Sequence, residues 1–308
     1  MEGSFSSNGG AEGMKICKKV EPFDKGGGQE VRRKWEELNP DCLAMVFQRV
    51  GLESLIFDVP LVCKPWYKAS LDPQSWRNLH FPELNTDNPE EMGTTIFPVN
   101  QGLPYSRFTR RFIDEFSISK DVFSFTDLIR FVIDRSCKAA VKLVLPRTCS
   151  FRALHYVAHG CPALKILDLS AVLPYDHVPE LVCKLKDLEH LILGLNPLYF
   201  RKILTQISLN CRNFVGLGFG GYISKRCASS IVTLVPQIKY LMLKHAIIRR
   251  ENLKIILEGC KELELLDLRG YFDFEADDEV LKMASHIKTF IFEAENYDGG
   301  AKFMIFFH

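Results

Sequence analysis

Residues 164–193 read LKILDLSAVLPYDHVPELVCKLKDLEHLIL and contain one short pattern twice, 24 residues apart. The pattern is L-x-x-L-x-L, which begins at Leu164 and again at Leu188. Apolar residues that alternate over so short a stretch predict a β-strand with one buried face. The segment 178–185 between the two copies predicts a helix. The repeating structural unit is therefore predicted to be one strand followed by one helix.

The same pattern recurs along the chain from residue 140. Its copies begin at Ala140, Leu164, Leu188, Phe214, Ile238, Leu263 and Ile287, with spacings of 24, 24, 26, 24, 25 and 24 residues. Helices are predicted between them at 151–159, 178–185, 198–209, 224–235, 249–257 and 278–285. A period of roughly 20 to 29 residues is typical of leucine-rich repeats, in which each unit buries its apolar positions only against its neighbours. The pattern predicts an arc with a parallel sheet on the concave side and helices outside.

The concave face of this sheet is a candidate surface for binding a partner protein. Strand side chains alternate, so if the fourth and sixth residues of each copy face the core, the third and fifth face outward. The candidate contacts are Ile166, Asp168, His190, Ile192, Gly216, Gly218, Tyr240 and Met242. The glycine row has two interpretations. It is either a shallow trough of bare backbone for a partner's peptide or side chain, or a relief of crowding as the arc curves.

A different kind of segment, residues 35–79, precedes the repeats. Four apolar residues stand at helical spacing, namely Leu43, Val46, Phe47 and Val50. Asn39 is suited to cap this helix, Pro40 to its first position and Gly51 to its end. Pro60 and Pro65 are expected to bend or divide the next segment. Trp76-x-x-Leu79-x-Phe81 already has the spacing of the repeat, which predicts that this segment supplies the first layer of the arc.

Residues 35–79 resemble an F-box, the module that binds the Skp-type adaptor of a cullin-based ubiquitin ligase. The resemblance rests on Leu38, Pro40, Leu43, Val46 and Phe47, on the run Leu61-Val62-Cys63-Lys64-x-Trp66, and on Asp72-Pro73 before Trp76. It implies adaptor contacts, or their support, at Leu38, Pro40, Leu43, Val46, Phe47, Val50, Leu55, Val62, Cys63 and Trp66. The pattern departs from the family at Asn39, which separates Leu38 from Pro40, and at Pro60.

The whole chain from Trp35 thus resembles a plant-type F-box protein with leucine-rich repeats. The resemblance implies an α/β architecture, with a small all-α module of three helices followed by the solenoid arc. It also implies a substrate receptor of an SCF-type (Skp, cullin, F-box) ubiquitin ligase. An F-box scaffold that engages the adaptor without directing degradation is the alternative. A small-molecule receptor is less favoured, because hormone-binding F-box proteins have much longer arrays.

The ten cysteines are scattered and form no C-x-x-C pair. Four of them, Cys137, Cys161, Cys211 and Cys260, stand three residues before a copy of the pattern, as in the cysteine-containing class of leucine-rich repeats. We predict buried thiols there, rather than disulfides or metal ligands. His155 and His159 have metal-ligand spacing on one helix, but no fourth ligand accompanies them and Cys161. Neither catalytic residues nor a metal or cofactor site is predicted.

The predicted domains are a disordered tail at 1–32, the F-box at 33–80, a linker at 81–104 and the repeats at 105–308. A helix within 105–118 is expected to seal the junction between the F-box and the repeats. The apolar run after residue 301 predicts a last edge strand, unless the chain is shortened there. A net charge of +1 gives no reason to expect nucleic acid or a membrane as partner. A cytosolic or nuclear location is expected, because no signal peptide and no apolar run of about 18 residues is present.

Overall fold

The computed structural model describes residues 35, 38–84, 105–147, 149–171, 176–195, 197, 199–295 and 301–307. The predicted disordered tail and residues 85–104 of the predicted linker lie outside this part of the chain. The described residues from Leu38 onward form one compact unit. No helix within the described residues is long and apolar enough to cross a membrane.

The helical module, residues 38–76, consists of short helices. They are α1 (Pro40–Phe47), α2 (Leu52–Phe57), α3 (Val59–Val62), α4 (Lys64–Ser70) and a 3-10 turn (Pro73–Trp76). The predicted start of α1 is confirmed, because the side chain of Asn39 accepts a hydrogen bond from the Asp41 amide at 2.8 Å. The helix ends at Phe47 rather than at Gly51. Gly51 instead precedes α2, with a φ of 84° that suits glycine.

Prolines explain why the module has four short α-helices and a 3-10 turn instead of three helices. Pro60 lies in the first turn of α3 and Pro65 in the first turn of α4, where proline is tolerated. Between them Cys63 is fully extended, with φ −162° and ψ 169°. Pro65 has no backbone N–H and its ring would clash with a carbonyl group of a continued α3, so the chain breaks at Cys63 and a new helix begins at Lys64. The expected division by Pro60 and Pro65 is confirmed.

The repeats follow in regular alternation after two further helices. The strands are β1 (Asn78–His80), β2 (Lys142–Val144), β3 (Ile166–Leu169), β4 (His190–Leu195), β5 (Gly216–Ile223), β6 (Tyr240–Ile248), β7 (Leu265–Phe272), β8 (Thr289–Glu295) and β9 (Ala301–Phe307). The helices are α5 (Arg107–Glu115), α6 (Phe125–Arg135), α7 (Phe151–Gly160), α8 (Val178–Val182), α9 (Phe200–Asn210), α10 (Lys225–Leu234), α11 (Arg250–Gly259) and α12 (Asp278–Met283). The six helices predicted between copies of the pattern are all present, with ends shifted by at most three residues.

The strands form one sheet in sequence order, parallel from β1 to β8, with β9 antiparallel to β8. The predicted register is confirmed along the array, since Lys142 pairs with Ile166, Ile166 with His190 and His190 with Gly216. In every copy the fourth and sixth residues are at most 4% exposed. They face the helices and form the core, which leaves the other side of the sheet, the predicted concave face, as an open face. The predicted solenoid is therefore observed.

The helical module is built into this solenoid. Strand β1 pairs with β2, so the module supplies the first layer of the sheet as predicted. Phe81 and Leu84, at the start of the predicted linker, are buried in the common core. Helix α5 seals the junction, since the ring of Phe57 in α2 lies 5.7 Å from that of Phe108 and 6.3 Å from that of Phe112. The module and the repeats thus share one hydrophobic core.

A charged contact reinforces the same junction. The guanidinium of Arg111 in α5 lies 2.7 Å from the Asp58 carboxylate and 3.4 Å from that of Glu53. It also lies 4.5 Å from the ring centroid of Phe57, a cation–π arrangement. The hydrogen bond to Asp58 raises the pKa of Arg111 above its usual value. This contact joins residues more than 50 positions apart.

The cysteines of the repeats behave mainly as small apolar residues. Burial raises the pKa of the Cys161 thiol to about 12, and those of Cys211 and Cys260 to about 11. Cys137 differs, because it is exposed and has a φ of 45°. All the cysteines in the described part of the chain are free. Buried thiols are thus confirmed at three of the four positions.

Candidate protein-binding surfaces

The structure divides the ten predicted adaptor contacts into two groups. Leu43 and Phe47 are each 1% exposed and Leu55 is buried with them, so these three side chains form the core of the helical module. Trp66 packs its ring at 5.2 Å from that of Phe47, in an edge-to-face arrangement. Leu38 is partly buried against the same core. Cys63 is also partly buried. These residues support the surface rather than form its most accessible part.

The other predicted contacts lie on the surface. Pro40, Val46, Val50 and Val62 are exposed, with Val46 at 43% and Val62 at 57%. Val46 belongs to α1 and Val62 to α3, and α4 packs on both helices. Apolar side chains exposed on neighbouring helices are a recognised mark of a protein–protein contact. Four of the ten motif positions are therefore accessible on the surface of the module.

The predicted set of adaptor contacts leaves out several exposed apolar residues of the same module. They are Met45, Leu61, Tyr67 and Leu71. A signal for the first was present, because Cys42, Met45 and Val46 have helical spacing and all lie exposed on α1, opposite the buried Leu43 and Phe47. The predicted set of adaptor contacts combined residues from the buried and the exposed face of α1. These two faces can be distinguished only when the residues that form the core are known.

On the open face of the sheet, the predicted contacts occupy the expected positions. Ile166, Asp168, His190, Ile192, Tyr240 and Met242 are all half-buried on this face. Asp168 has a local task, because its carboxylate accepts a hydrogen bond from the Ser170 amide at 2.8 Å. Gly216 and Gly218 differ from the others, since both are buried.

The glycine row is covered by side chains of the neighbouring strands rather than left as bare backbone. The rings of His190 and Tyr240, from the strands on either side, approach to 5.5 Å between centroids. A Cβ placed on Gly216 would overlap the His190 ring, and one on Gly218 would lie 3.3 to 3.5 Å from Ile192 and Met242. The missing side chains of β5 let those of β4 and β6 close over it. The crowding interpretation agrees with this packing.

A second row on the open face was not predicted. Tyr222 of β5 pairs with Ile247 of β6, which pairs with Tyr271 of β7. These three side chains are between 39% and 50% exposed. They lie beyond the irregularities that the register shows after Phe219 and Leu243. The repeat pattern ends before these irregular positions, so no spacing rule pointed to them.

Comparisons with known proteins agree with this architecture. No protein-family model matches the chain. An F-box/LRR-repeat protein of Arabidopsis thaliana is 29% identical over 245 residues, which cover 77% of this chain and 72% of the relative. From the same plant, F-box protein FBW2 is 26% identical over 253 residues (81% of this chain, 72% of the relative), and F-box protein SKIP19 is 23% identical over 244 residues (78% and 70%).

The chain is similar to F-box proteins with leucine-rich repeats over about four fifths of its length. Its helical module is accordingly called the F-box below. The two histidines with metal-ligand spacing make other contacts. The Nδ1 atom of His159 lies 2.8 Å from the His155 carbonyl oxygen, and its Nε2 atom lies 3.0 Å from the Lys184 ammonium. No cluster of three potential metal ligands occurs among the residues that the structure describes.

The stacked His190 gives the open face a dependence on pH. Partial burial lowers its pKa from the ordinary value of about 6.5, and the nearby Glu189 carboxylate offsets part of this effect. Because the folded pKa lies below the unfolded one, the unfolded chain binds more protons as the pH falls. The contribution of His190 to stability is therefore complete above about pH 6.5 and is lost as the pH falls below that value.

We expect NMR titration of the His190 imidazole to give a pKa below the ordinary histidine value of about 6.5. The His190→Asn variant should lose less stability than the parent between pH 7 and pH 5. Urea unfolding at the two pH values measures this difference. A His190 pKa at or above about 6.5 would contradict the burial argument.

Proposed function

We propose that this protein is the substrate-recognition subunit of an SCF-type ubiquitin ligase. The F-box holds a Skp-type adaptor, and through it a cullin, while the open face of the repeats binds a target protein for ubiquitination. Other subunits transfer the ubiquitin, and the contribution of this chain is to position the target. A cytosolic or nuclear location is part of the proposal.

The observation that carries the proposal is the exposure of Val46 and Val62. Both belong to the residues on which the F-box resemblance rests, and neither is needed to fill the core. A partner that covers them gains the free energy of burying apolar surface. Target binding is supported by the exposed Tyr222, Ile247 and Tyr271, since aromatic residues are enriched at the centres of protein interfaces.

The double variant Val46→Asp with Val62→Asp tests the F-box half of the proposal. We expect it to weaken binding of a purified Skp-type adaptor by at least about a hundredfold, because two carboxylates would be desolvated at the interface. The fold should persist, since both sites are exposed. Titration calorimetry gives the affinity, and circular dichroism gives the melting temperature.

Val122→Asp is the matched control, because Val122 is 76% exposed and lies outside the F-box. It should bind the adaptor like the parent. Unchanged adaptor affinity in the double variant would refute the proposed surface. Leu43→Asp and Phe47→Asp are unsuitable as tests, since both side chains are buried and the changes would unfold the module.

The same double variant distinguishes a substrate receptor from a scaffold. Proximity labelling in cells treated with a proteasome inhibitor would identify proteins near the parent chain. For a receptor, the half-lives of these proteins should lengthen when the double variant replaces the parent. If adaptor binding is lost while every half-life stays unchanged, the scaffold alternative is correct.

A further inference from the structure

A cleft of about 410 Å³ opens between α9 and α10 on the helical side of the solenoid, away from the open face of the sheet. Arg201, Lys202 and Thr205 of α9 line one wall, and Arg226 and Ser230 of α10 line the other. Arg201 and Thr205 lie one helical turn apart on α9, as do Arg226 and Ser230 on α10, and Lys202 is adjacent to Arg201. No carboxylate is among the lining residues.

The charges of the cleft are not neutralised by the protein. Arg201, Lys202 and Arg226 are exposed, and none forms an ion pair within the part of the chain that the structure describes. Three cations around one space repel one another, and a bound anion would remove that cost. The side chains are Arg and Lys, which donate hydrogen bonds to oxyanions.

Another pair of helices in the array shows how cations are neutralised elsewhere in the same fold. Between α11 and α12, the Arg250 guanidinium lies 2.7 Å from Asp277 and 2.6 Å from Glu279, and the Lys254 ammonium lies 2.6 Å from Glu279. Glu279 is the second residue of its helix. The second residue of α10 is Arg226, so at the equivalent position a cation faces cations.

The remaining lining groups complete the chemistry of the cleft. The Thr205 hydroxyl donates to the Arg201 carbonyl oxygen at 2.8 Å, and the Ser230 hydroxyl to that of Arg226 at 2.7 Å. Both hydroxyl groups therefore already donate their protons within their own helix, and the three cations are the hydrogen-bond donors for a ligand. The Tyr199 ring also lines the cleft, with the Lys202 ammonium 5.1 Å from its centroid. It offers an apolar face beside the charges.

We propose that this cleft binds a phosphate monoester. The phosphoryl oxygen atoms accept hydrogen bonds from Arg201, Lys202 and Arg226, and the organic group lies against the Tyr199 ring. A monoester carries close to two negative charges and three acceptor oxygens, which match three cations better than a carboxylate does. One water occupies about 30 Å³ of liquid, so the cleft has room for both parts of the ester. The site is independent of the proposed ligase function.

Calorimetric titration of the full chain with O-phospho-L-serine tests this proposal. We expect saturable binding that the double variant Arg201→Gln with Arg226→Gln weakens about a hundredfold, at about tenfold for each charged donor. The matched control is Arg152→Gln with Arg212→Gln, which removes the same charge from exposed arginines outside the cleft. It should bind like the parent. Melting temperatures without ligand should agree among all three proteins.

Several results would overturn the proposal. They are no saturable binding below about 10 mM, equal weakening in the control variant, or equal binding of unphosphorylated L-serine. Inorganic phosphate is the second probe. Tighter binding of O-phospho-L-serine than of inorganic phosphate supports a monoester site, and equal affinity would show a site for free phosphate instead. Loss of adaptor binding in the Val46 and Val62 variant bears on neither result, so the two proposals fail separately.

Discussion

Replacing Trp76 with alanine is expected to lower the free energy of unfolding by about 3 to 5 kcal/mol. The side chain is 1% exposed, and its indole nitrogen donates to the Ser70 carbonyl oxygen at 2.7 Å. The Arg135 guanidinium of α6 lies 5.5 Å from the ring centroid. Trp76 therefore packs where the F-box passes into the first layer of the sheet. Its removal leaves both a large cavity and an unpaired carbonyl group.

Urea unfolding followed by circular dichroism measures this loss. Trp35→Ala is the matched control, because Trp35 is more than half exposed, and it should change stability by no more than about 0.5 kcal/mol. The shared core predicts that the F-box and the first repeats unfold together. Partial unfolding confined to the F-box would therefore contradict a shared core. A loss below about 1 kcal/mol in Trp76→Ala would contradict the role of this side chain.

The Gly270→Ala variant is expected to lose about 3 to 5 kcal/mol of stability, from backbone strain and overpacking together. Gly270 lies in β7 and has a φ of 146°, a backbone conformation that residues other than glycine rarely adopt. An added Cβ would also overlap the backbone carbonyl oxygen and nitrogen of Ala246 in β6. A backbone group cannot rotate away as a side chain can. Either the strand pairing opens or the strand shifts.

Gly218→Ala provides the comparison within the same sheet. Its Cβ would meet only side-chain atoms of Ile192 and Met242, at 3.3 Å or more, and these can adjust. We expect a loss of no more than about 1 kcal/mol. Thermal unfolding of both variants measures the difference. Similar stability for Gly270→Ala and Gly218→Ala would show that the local backbone at Gly270 relaxes without cost.

The shared core has a consequence for the proposed function. Phe57 of the F-box packs against Phe108 and Phe112 of α5, and β1 pairs with β2. Because these contacts join the F-box to the repeats as one hydrophobic unit, an adaptor bound to the F-box and a target bound to the open face would be held in a fixed relation. Such positioning is what a substrate receptor contributes to ubiquitin transfer.

The repeat array could be predicted closely from sequence for a physical reason. Every repeat buries the same positions against its neighbours, so one spacing rule was tested seven times along the chain. The start of α1 was equally readable, because Asn39 and Pro40 are local signals. The end of α1 was not, since Gly51 serves the start of α2 instead. A glycine is compatible both with the end of one helix and with the start of the next, so local sequence rules could not decide between the two roles.

The surfaces were less predictable than the fold. Leu43 and Val46 look alike in sequence, but one is core and the other is surface, because the difference depends on where α4 packs. The glycine row of β5 suggested an open trough, whereas His190 and Tyr240 reach across from strands that are not adjacent in sequence. No periodic pattern in the sequence marked the residues that line the cleft between α9 and α10.

The sequence by itself thus determined the F-box resemblance, the strand register and the identity of the buried leucines, because each follows from the spacing of residues along the chain. The tertiary structure alone decided which F-box residues face outward, how the glycine row is covered and where unpaired cations meet. These features depend on side chains from different repeats or modules. Their proximity is set by the packing of whole elements, which no local pattern encodes.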